Sequence, residues 1–263
     1  MTLEPSAELL DLLRHGAIEL EGRLVDASNT TLRGEITLDG VTRRCVYKPV
    51  RGERPLWDFP DGNLAGREVA TYLLSTAAGW NLVPPTVLRD GPLGPGACQL
   101  WIDEADPPLV GFVPEAQLPA GWLAVLAARD ERGRPYLLAH ADDPALAAMA
   151  VFDVVVNNAD RKGGHILAGP DGPLGIDHGL CFHVEDKLRT VLWGWAGADL
   201  PAPARELLGS LSGRLAGDLA GRLAEHLTAA EVAATAARVA ALLSAGRLPE
   251  PPDERPAVPW PPM

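Results

Sequence analysis

The sequence predicts an α+β fold with a small β-rich N-terminal lobe that carries one helix, followed by a larger, mainly helical lobe. Two observations lead to this prediction. Strand-like runs rich in β-branched residues fall before residue 104, and apolar residues at helical spacing dominate from Pro144 to Gly246. A chain of 263 residues is long enough to form two lobes around a cleft. The predicted units are 1–104, the nucleotide-binding lobe with its N-terminal helix; 105–246, the helical catalytic lobe; and 247–263, a proline-rich tail.

The first lobe opens with a short helix, AELLDLLRH, for which Ser6 is the expected N-cap and Gly16 the expected left-handed C-cap. Three strands are predicted in AIELEGRLVD, LRGEITLDG and RRCVYKPV, and Asp39-Gly40 marks the hairpin turn between the last two. The run LAGREVATYLLSTAAG predicts a helix that ends at Gly79, and LVPPTVLRDGPLGPGACQLWIDE predicts two more strands.

The second lobe contains the strongest helix signals of the chain. Asp143 and Pro144 are a suitable N-cap and first residue for the helix in DPALAAMAVFDVVVN, and HILAG with GPLGID predicts a short hairpin after it. Thr228 and Glu231 predict a capping box for a helix that closes at Gly246. The tail is expected to be extended on the surface or disordered. A leucine stripe predicts one amphipathic core helix through Leu208, Leu211, Leu215, Leu219, Leu223 and Leu227.

Composition excludes several classes of function. A net charge of −12 argues against nucleic-acid binding and makes a membrane lipid a less favoured partner than a soluble one. The N-terminal run lacks a basic region with a cleavage site, and no apolar run approaches membrane-spanning length, so we expect a cytoplasmic protein. Three scattered cysteines, Cys45, Cys98 and Cys181, fit neither a disulfide framework nor a cysteine zinc site. We expect them to be buried.

The run NNADRKGGHILAGPDGPLGIDHG, from 157 to 179, is the most informative stretch for function. It contains two carboxylates on predicted loops at strand edges, Asp160 and Asp177. This arrangement suits phosphoryl transfer, in which one carboxylate orients a hydroxyl and accepts its proton while the other holds a divalent metal against nucleotide phosphates. Arg161 and Lys162 follow Asp160 and complete the candidate catalytic set.

Two further charged residues fit the same chemistry. Lys48 lies on the third predicted strand and Glu68 on the following helix, where the two could pair. This order of elements is that of a two-lobed protein-kinase-like fold. The motifs YKP, GREVATYLL, LVPPT, NNADRKGGHIL and IDHG resemble the phosphoinositide 3-/4-kinase-like families of atypical kinases, particularly the type II phosphatidylinositol 4-kinases and their bacterial relatives. The likeness spans roughly residues 22 to 195.

The resemblance implies a role for each matching residue. Lys48 would bind phosphate with Glu68 as its partner, Asp160 would be the catalytic base, and Asp177 would bind the metal. The implied cofactors are ATP and Mg²⁺, with Mn²⁺ as an alternative. The resemblance also implies two sets of nucleotide-binding residues. The turn over the phosphates contains Ser28, Asn29 and Thr30. The segment linking the lobes contains Gln99, Leu100, Trp101 and Ile102.

One departure concerns the second metal ligand, because His165 stands where the family has Asn. Mg²⁺ prefers oxygen ligands, whereas a neutral imidazole suits Mn²⁺ or other transition metals better. Three interpretations therefore compete: a kinase with an altered metal preference, a kinase that uses Asp177 alone, and a nucleotide-binding pseudokinase with a regulatory role.

A different class of function is a metal-dependent hydrolase with His165, Asp177, His178 and His183 as ligands. No pair of these residues has the helical spacing of a compact zinc motif, and this alternative leaves Lys48 and Glu68 unexplained. For a kinase, the sequence does not specify the acceptor beyond a small molecule or a protein hydroxyl, nor does it specify the oligomeric state.

Overall fold

The computed structural model describes residues 6–24, 29–104 and 108–263. The first helix, α1 (Ala7–His15), begins at Ser6, whose hydroxyl accepts a hydrogen bond from the Leu9 amide at 3.2 Å. The prediction of a left-handed Gly16 is wrong, because this residue is extended with φ −62°. A Cβ at Gly16 would lie 2.6 Å from Cγ1 of Ile36, so close packing against the sheet is the reason for glycine at this position.

A five-stranded antiparallel sheet forms most of the N-terminal lobe. Asp39 and Gly40 have φ values of 49° and 79°, which confirms the predicted hairpin turn between its second and third strands. In spatial order its strands are β1 (Ala17–Arg23), β2 (Leu32–Leu38), β3 (Val41–Pro49), β5 (Gly94–Leu100) and β4 (Thr86–Gly91).

Between β3 and β4 the chain forms α2 (Leu64–Ala78). Asn63 caps its N-terminus, and Gly79, left-handed with φ 82°, ends it as predicted. Tyr72 and Leu74 of this helix are buried in the same core cluster as the hydrophobic residues of the C-terminal lobe. The helix therefore packs against both lobes.

The second lobe begins with strands that the sequence analysis did not predict, and the rest of it is mainly helical, as predicted. A three-stranded antiparallel sheet is formed by β6 (Val110–Pro114), β7 (Trp122–Arg129) and β8 (Pro135–Ala141), with β8 in the centre. The runs WLAVLAAR and PYLLAHA are short and apolar, and their alanine and leucine content carries no strand preference. Pairing with β8 decides their conformation.

Helix α3 (Pro144–Val156) leads into the loop that contains Asp160. Asp143 caps it by accepting hydrogen bonds from the amides of Ala145 and Leu146 at 2.8 and 3.1 Å. The predicted hairpin follows as β9 (Ile166–Gly169) and β10 (Gly172–Gly175), so the loop is bounded by a buried helix and a short β-hairpin.

Three helices complete the lobe: α4 (Ala202–Leu215), α5 (Asp218–Ala224) and α6 (Ala229–Ala245). The predicted leucine stripe is buried in the core, but its residues lie on two helices that are interrupted at Gly217, and Leu227 lies in the turn after α5. The capping box of Thr228 and Glu231 is present, and Gly246 ends α6 with φ 67°. No helix among the described residues is long and apolar enough to cross a membrane.

Residues 247–263 are irregular, as predicted, but they make specific contacts. Leu248 is buried, and the backbone carbonyls of Ala257 and Pro262 accept hydrogen bonds from the second lobe. The tail is therefore part of the folded structure.

Candidate active site

The candidate active site is a cleft between the five-stranded sheet and the loops on either side of the β9–β10 hairpin. Two cavities of about 310 and 290 Å³ adjoin there. Thr31, Lys48 and Asp177 line both of them, so the two cavities form one continuous cleft. This cleft contains most of the residues that the sequence singled out.

Lys48 lies at the centre of the cleft because β3 directs its side chain toward α2. Its Nζ donates a hydrogen bond to Oε1 of Glu68, which confirms the predicted contact, and a second to Oδ1 of Asp177 at 2.9 Å. The other Glu68 oxygen accepts a hydrogen bond from the His178 amide at 3.1 Å. Burial acts to lower the pKa of Lys48, but Asp177 and Glu68 outweigh it and raise the pKa, so the ammonium stays charged.

Asp160 faces the 290 Å³ cavity from the opposite wall. Its backbone amide donates to Oδ1 of Asn158 at 3.0 Å, and its carboxylate lies 3.3 Å from Nζ of Lys162. Burial raises the pKa of Asp160, although the charge of Lys162 acts in the opposite direction. A raised pKa makes this carboxylate a better proton acceptor than an exposed aspartate.

His165 and Asp177 form the second polar group of the cleft. Nδ1 of His165 lies 3.0 Å from the Asp160 carbonyl oxygen, which requires a proton on Nδ1, and burial lowers the pKa of His165 to about 4. Its Nε2 therefore has a free lone pair and lies 3.3 Å from Oδ2 of Asp177. The positive charge of Lys48 lowers the pKa of Asp177, whose side chain is 54% exposed and accessible to a ligand.

This pair of donors fits a divalent cation. One imidazole nitrogen and one carboxylate oxygen suit Mn²⁺, and a nucleotide-bound ion takes its remaining ligands from phosphate oxygens and water. Among the residues that the structure describes, no group of three His, Cys, Asp or Glu side chains forms a closed metal site.

Arg161, which the sequence assigned to the catalytic set, does not line the cleft. Its side chain is fully buried beneath the loop, where Nη2 lies 2.9 Å from Oδ1 of Asp153 and 2.7 Å from Nε2 of His178. The guanidinium also donates to the carbonyl oxygens of His165 and Ile176, each at 3.2 Å. With these partners Arg161 cannot contact a substrate, and it instead supports the loop from below.

Sequence reasoning missed Asp153, the residue that organises this loop. Its carboxylate accepts hydrogen bonds from Arg161, from Nδ2 of Asn158 at 3.1 Å and from the Thr190 hydroxyl at 3.2 Å. The signal was present, because Asp153 is the one charged residue of the otherwise apolar helix α3. A buried charge requires partners, and in a helix that leads into a polar loop those partners lie in the loop.

The predicted linking segment lines the 310 Å³ cavity. Leu100, Trp101 and Ile102 form one side of it, and Gln99 also lines it, although its amide donates to the Thr86 hydroxyl at 2.9 Å. Charged and polar side chains, among them Lys48, Asp103 and His165, line another part of this cavity. Its apolar lining beyond the linking segment consists of Leu24, Val46, Leu167 and Ile176.

The predicted phosphate turn is described in part. Asn29 and Thr30 line the 290 Å³ cavity, and Oδ1 of Asn29 accepts a hydrogen bond from the Arg54 amide at 2.9 Å. Ser28 lies outside the described residues. Arg54 also lines this cavity and adds a positive charge that sequence reasoning did not assign to the site.

The histidines of the hydrolase hypothesis do not come together in one metal site. His178 is buried with its Nε2 on Arg161, and His183 packs edge-on against Phe59 with ring centroids 5.1 Å apart. Neither histidine joins His165 at Asp177.

The largest cavity, about 850 Å³, lies elsewhere, between α6 and the tail. None of the cleft residues described above lines it.

Comparison with solved structures defines the fold. The chain superposes on hydra Fam20 determined with sugar, with a TM-score of 0.51, 15% identity and coverage of 90% of this chain and 86% of that chain. It also superposes on the Golgi casein kinase with Mn and ADP bound, with a TM-score of 0.50, 15% identity and coverage of 90% and 74%. The protein has a kinase-like fold.

The chain matches no family profile. It is 51% identical over 261 residues to Protein Rv2133c of Mycobacterium tuberculosis, an alignment that covers 95% of this chain and 94% of the relative. The chain belongs to the same protein family as Rv2133c.

Proposed function

We propose that the protein is an ATP-dependent phosphotransferase that acts on a hydroxyl group of a small molecule or a protein. The observation that carries the proposal is the bond network of Lys48, Glu68 and Asp177 in one cleft with Asp160. Two cavities meet at Lys48 and Asp177, one lined by the linking segment and the other by Asp160. This arrangement suits an adenine ring in the 310 Å³ cavity, an acceptor in the 290 Å³ cavity, and the nucleotide phosphates between them.

Lys48 supplies the positive charge for the nucleotide phosphates. Glu68 and Asp177 hold the ammonium from two sides, and a point charge held this way stabilises phosphate oxygens without having to reorganise. The 310 Å³ cavity bounded by Leu100 and Ile102 would enclose adenine and exclude water from it.

Asp160 acts on the acceptor. Its carboxylate accepts the proton of the acceptor hydroxyl while the acceptor oxygen bonds to the γ-phosphorus and the bond from that phosphorus to the bridging oxygen breaks, which releases ADP. Lys162, 3.3 Å from the carboxylate, adds positive charge beside the transferred group.

Asp177 and His165 would hold the divalent metal. Bound there with the nucleotide, Mg²⁺ or Mn²⁺ would neutralise phosphate charge. The Asp160 carbonyl fixes the His165 tautomer, so Nε2 faces the same space as the Asp177 carboxylate. The Golgi casein kinase, a neighbour by fold, was determined with Mn and ADP bound, which supports a site that binds a metal ion together with a nucleotide.

The finer relationship to phosphoinositide 3-/4-kinase-like enzymes is also a proposal, supported by the five sequence motifs around Lys48, Glu68, Pro84, Asp160 and Asp177. It does not imply a lipid acceptor, because one scaffold supports many acceptors. The cytoplasmic location likewise stays a prediction.

The second candidate is a nucleotide-binding pseudokinase, which the replacement of the family Asn by His165 favours. The two candidates differ in turnover and share nucleotide binding. Calorimetry of ATP binding with Mg²⁺ and then Mn²⁺ tests their common part, and an acceptor screen with labelled ATP separates them.

Lys48→Met should weaken ATP binding by about tenfold or more, because the charge-assisted phosphate contacts are lost. Arg44→Met on the same strand is the matched control, since Arg44 pairs with Asp103 at an exposed site. Equal ATP affinity in the wild type and Lys48→Met would reject the nucleotide assignment.

A further inference from the structure

The C-terminal segment, residues 255–263, runs along the loop that contains Asp160. The Pro262 carbonyl accepts a hydrogen bond from the Gly163 amide at 2.8 Å. Gly163 is buried, and it lies between Asp160 and His165 in the loop. The segment thus contacts the backbone between the proposed base and the proposed metal ligand.

Side-chain packing reinforces this contact. A Cβ built on Gly163 would lie 2.4 Å from Sδ and 2.7 Å from Cε of Met263, and 3.3 Å from Cγ1 of Val110. A side chain at position 163 would have to displace the Met263 side chain, which lies against the loop backbone. The loop is therefore covered from outside by Met263, while Arg161 supports it from inside.

A second set of contacts fixes the rest of the segment. The Ala257 carbonyl accepts from the Thr190 amide at 3.0 Å and from the Trp193 indole at 2.8 Å. Arg255 donates to the Leu188 carbonyl at 2.6 Å and pairs with Asp186 at 2.8 Å. All four of these partners belong to the stretch that follows Asp177.

That stretch pairs in turn with the loop. The Arg161 amide donates to the Arg189 carbonyl at 3.0 Å, and the Val191 amide donates to the Arg161 carbonyl at 3.1 Å. The C-terminal segment therefore contacts the loop directly at Gly163 and indirectly through residues 189–191.

We propose that the C-terminal segment is a positioning element for the Asp160 loop, with Pro262 and Met263 as its positioning residues. The kinetic part of this proposal rests on the proposed function; the structural part does not. A displacement of about 1 Å in a catalytic group can reduce turnover a hundredfold, so one backbone hydrogen bond near Asp160 is sufficient for a measurable effect.

The first test is amide hydrogen exchange, measured residue by residue by NMR in the full chain and in a variant that lacks residues 259–263. The Gly163 amide should exchange about tenfold faster or more in the truncated variant, because its acceptor is gone. Trp260→Ala is the matched control, since Trp260 is 84% exposed. Unchanged Gly163 exchange after truncation would overturn the proposal.

The second test separates positioning from folding through kinetics. Truncation should reduce kcat roughly tenfold to a hundredfold and leave the dissociation constant of metal-free ATP within about twofold, because the hydrogen bonds of the segment described above go to Gly163 and to residues 188–193, and not to Lys48 or the linking segment. Trp260→Ala should retain wild-type kcat. Faster exchange with unchanged kcat would overturn the positioning role. A wild type without ATP binding would contradict the proposed function but leave the exchange result valid.

If truncation prevents folding, a double-mutant cycle provides the answer. Gly163→Ala should displace Met263, so it should change both kcat and the exchange rates of the loop amides from Lys162 to His165. Both effects should be large in the wild-type background and at least about threefold smaller in the Met263→Ala background. Equal effects in both backgrounds would show that the two residues are not coupled and would overturn the proposal.

Discussion

Nε2 of His165 lies 3.3 Å from Oδ2 of Asp177, and the Asp160 carbonyl oxygen holds the proton of this histidine on Nδ1. The imidazole lone pair and the carboxylate therefore face the same space in the cleft. This pair contains the His165 departure from the family motif, and we expect the metal preference to follow from it.

His165→Asn should shift the metal preference toward Mg²⁺. An amide oxygen replaces a nitrogen donor, so the ratio of Mn²⁺-supported to Mg²⁺-supported ATP affinity should fall by about tenfold. Calorimetric titrations of ATP in each metal measure this ratio, with the exposed His15→Asn as control. A folded His165→Asn protein that is inactive with both metals would indicate another role for the histidine.

Asp160→Asn should leave ATP affinity within about twofold and reduce turnover by about 10²- to 10⁴-fold, because the change removes a proton acceptor and no phosphate contact. Burial raises the pKa of Asp160. As the solution is acidified, wild-type turnover should therefore begin to fall at a higher pH than it would if the base were an exposed aspartate. Asp39→Asn, at an exposed turn, is the control. Undiminished turnover in Asp160→Asn would reject the residue as the base.

Asp153→Asn should destabilise the fold by about 3 kcal/mol, because it leaves the buried Arg161 guanidinium without its counterion. Urea unfolding measures the free energy. Glu21→Gln provides the comparison, since it removes a partner from an exposed ion pair with Arg33, and its cost should stay below about 1 kcal/mol. Similar costs for the two variants would contradict the structural role assigned to Asp153.

Stability should fall as the pH is lowered from 7 toward 5. Burial lowers the pKa of His140, which stays neutral in the fold with Nε2 accepting from the Gly194 amide at 3.1 Å. An unfolded histidine takes up a proton near pH 6.5, so acidification favours the unfolded chain by up to about 1.4 kcal/mol per pH unit for each such residue.

The wild type should therefore show full stability above pH 7, and His140→Gln should lose less unfolding free energy over the same acid range. Urea unfolding at several pH values gives both slopes. Identical slopes in the two proteins would mean that His140 is not among the groups responsible.

Local signals predicted much of this fold correctly. The capping box of Thr228 and Glu231, the Asp143 cap and the Asp39-Gly40 turn each depend on a few neighbouring residues, and each is present. The contact between Lys48 and Glu68 was predicted from their places on a strand and on the helix that follows it.

Errors arose where distant residues decide the structure. The segment containing β6, β7 and β8 has no strong local preference, and its conformation depends on pairing between strands. Arg161 follows the proposed base directly, yet its side chain turns inward because Asp153, on α3, requires a buried cation. No pattern in the tail indicated that Pro262 would bond to Gly163.

Arg67 joins the two lobes one residue before Glu68. Its guanidinium donates to the Cys181 carbonyl at 2.6 Å and pairs with Glu231, the same carboxylate that caps α6. Swinging α2 away from the cleft would thus break an ion pair to the residue that caps a distant helix. The thermodynamic consequence is that the lobes cannot melt separately: scanning calorimetry should record one transition whose van't Hoff and calorimetric enthalpies agree.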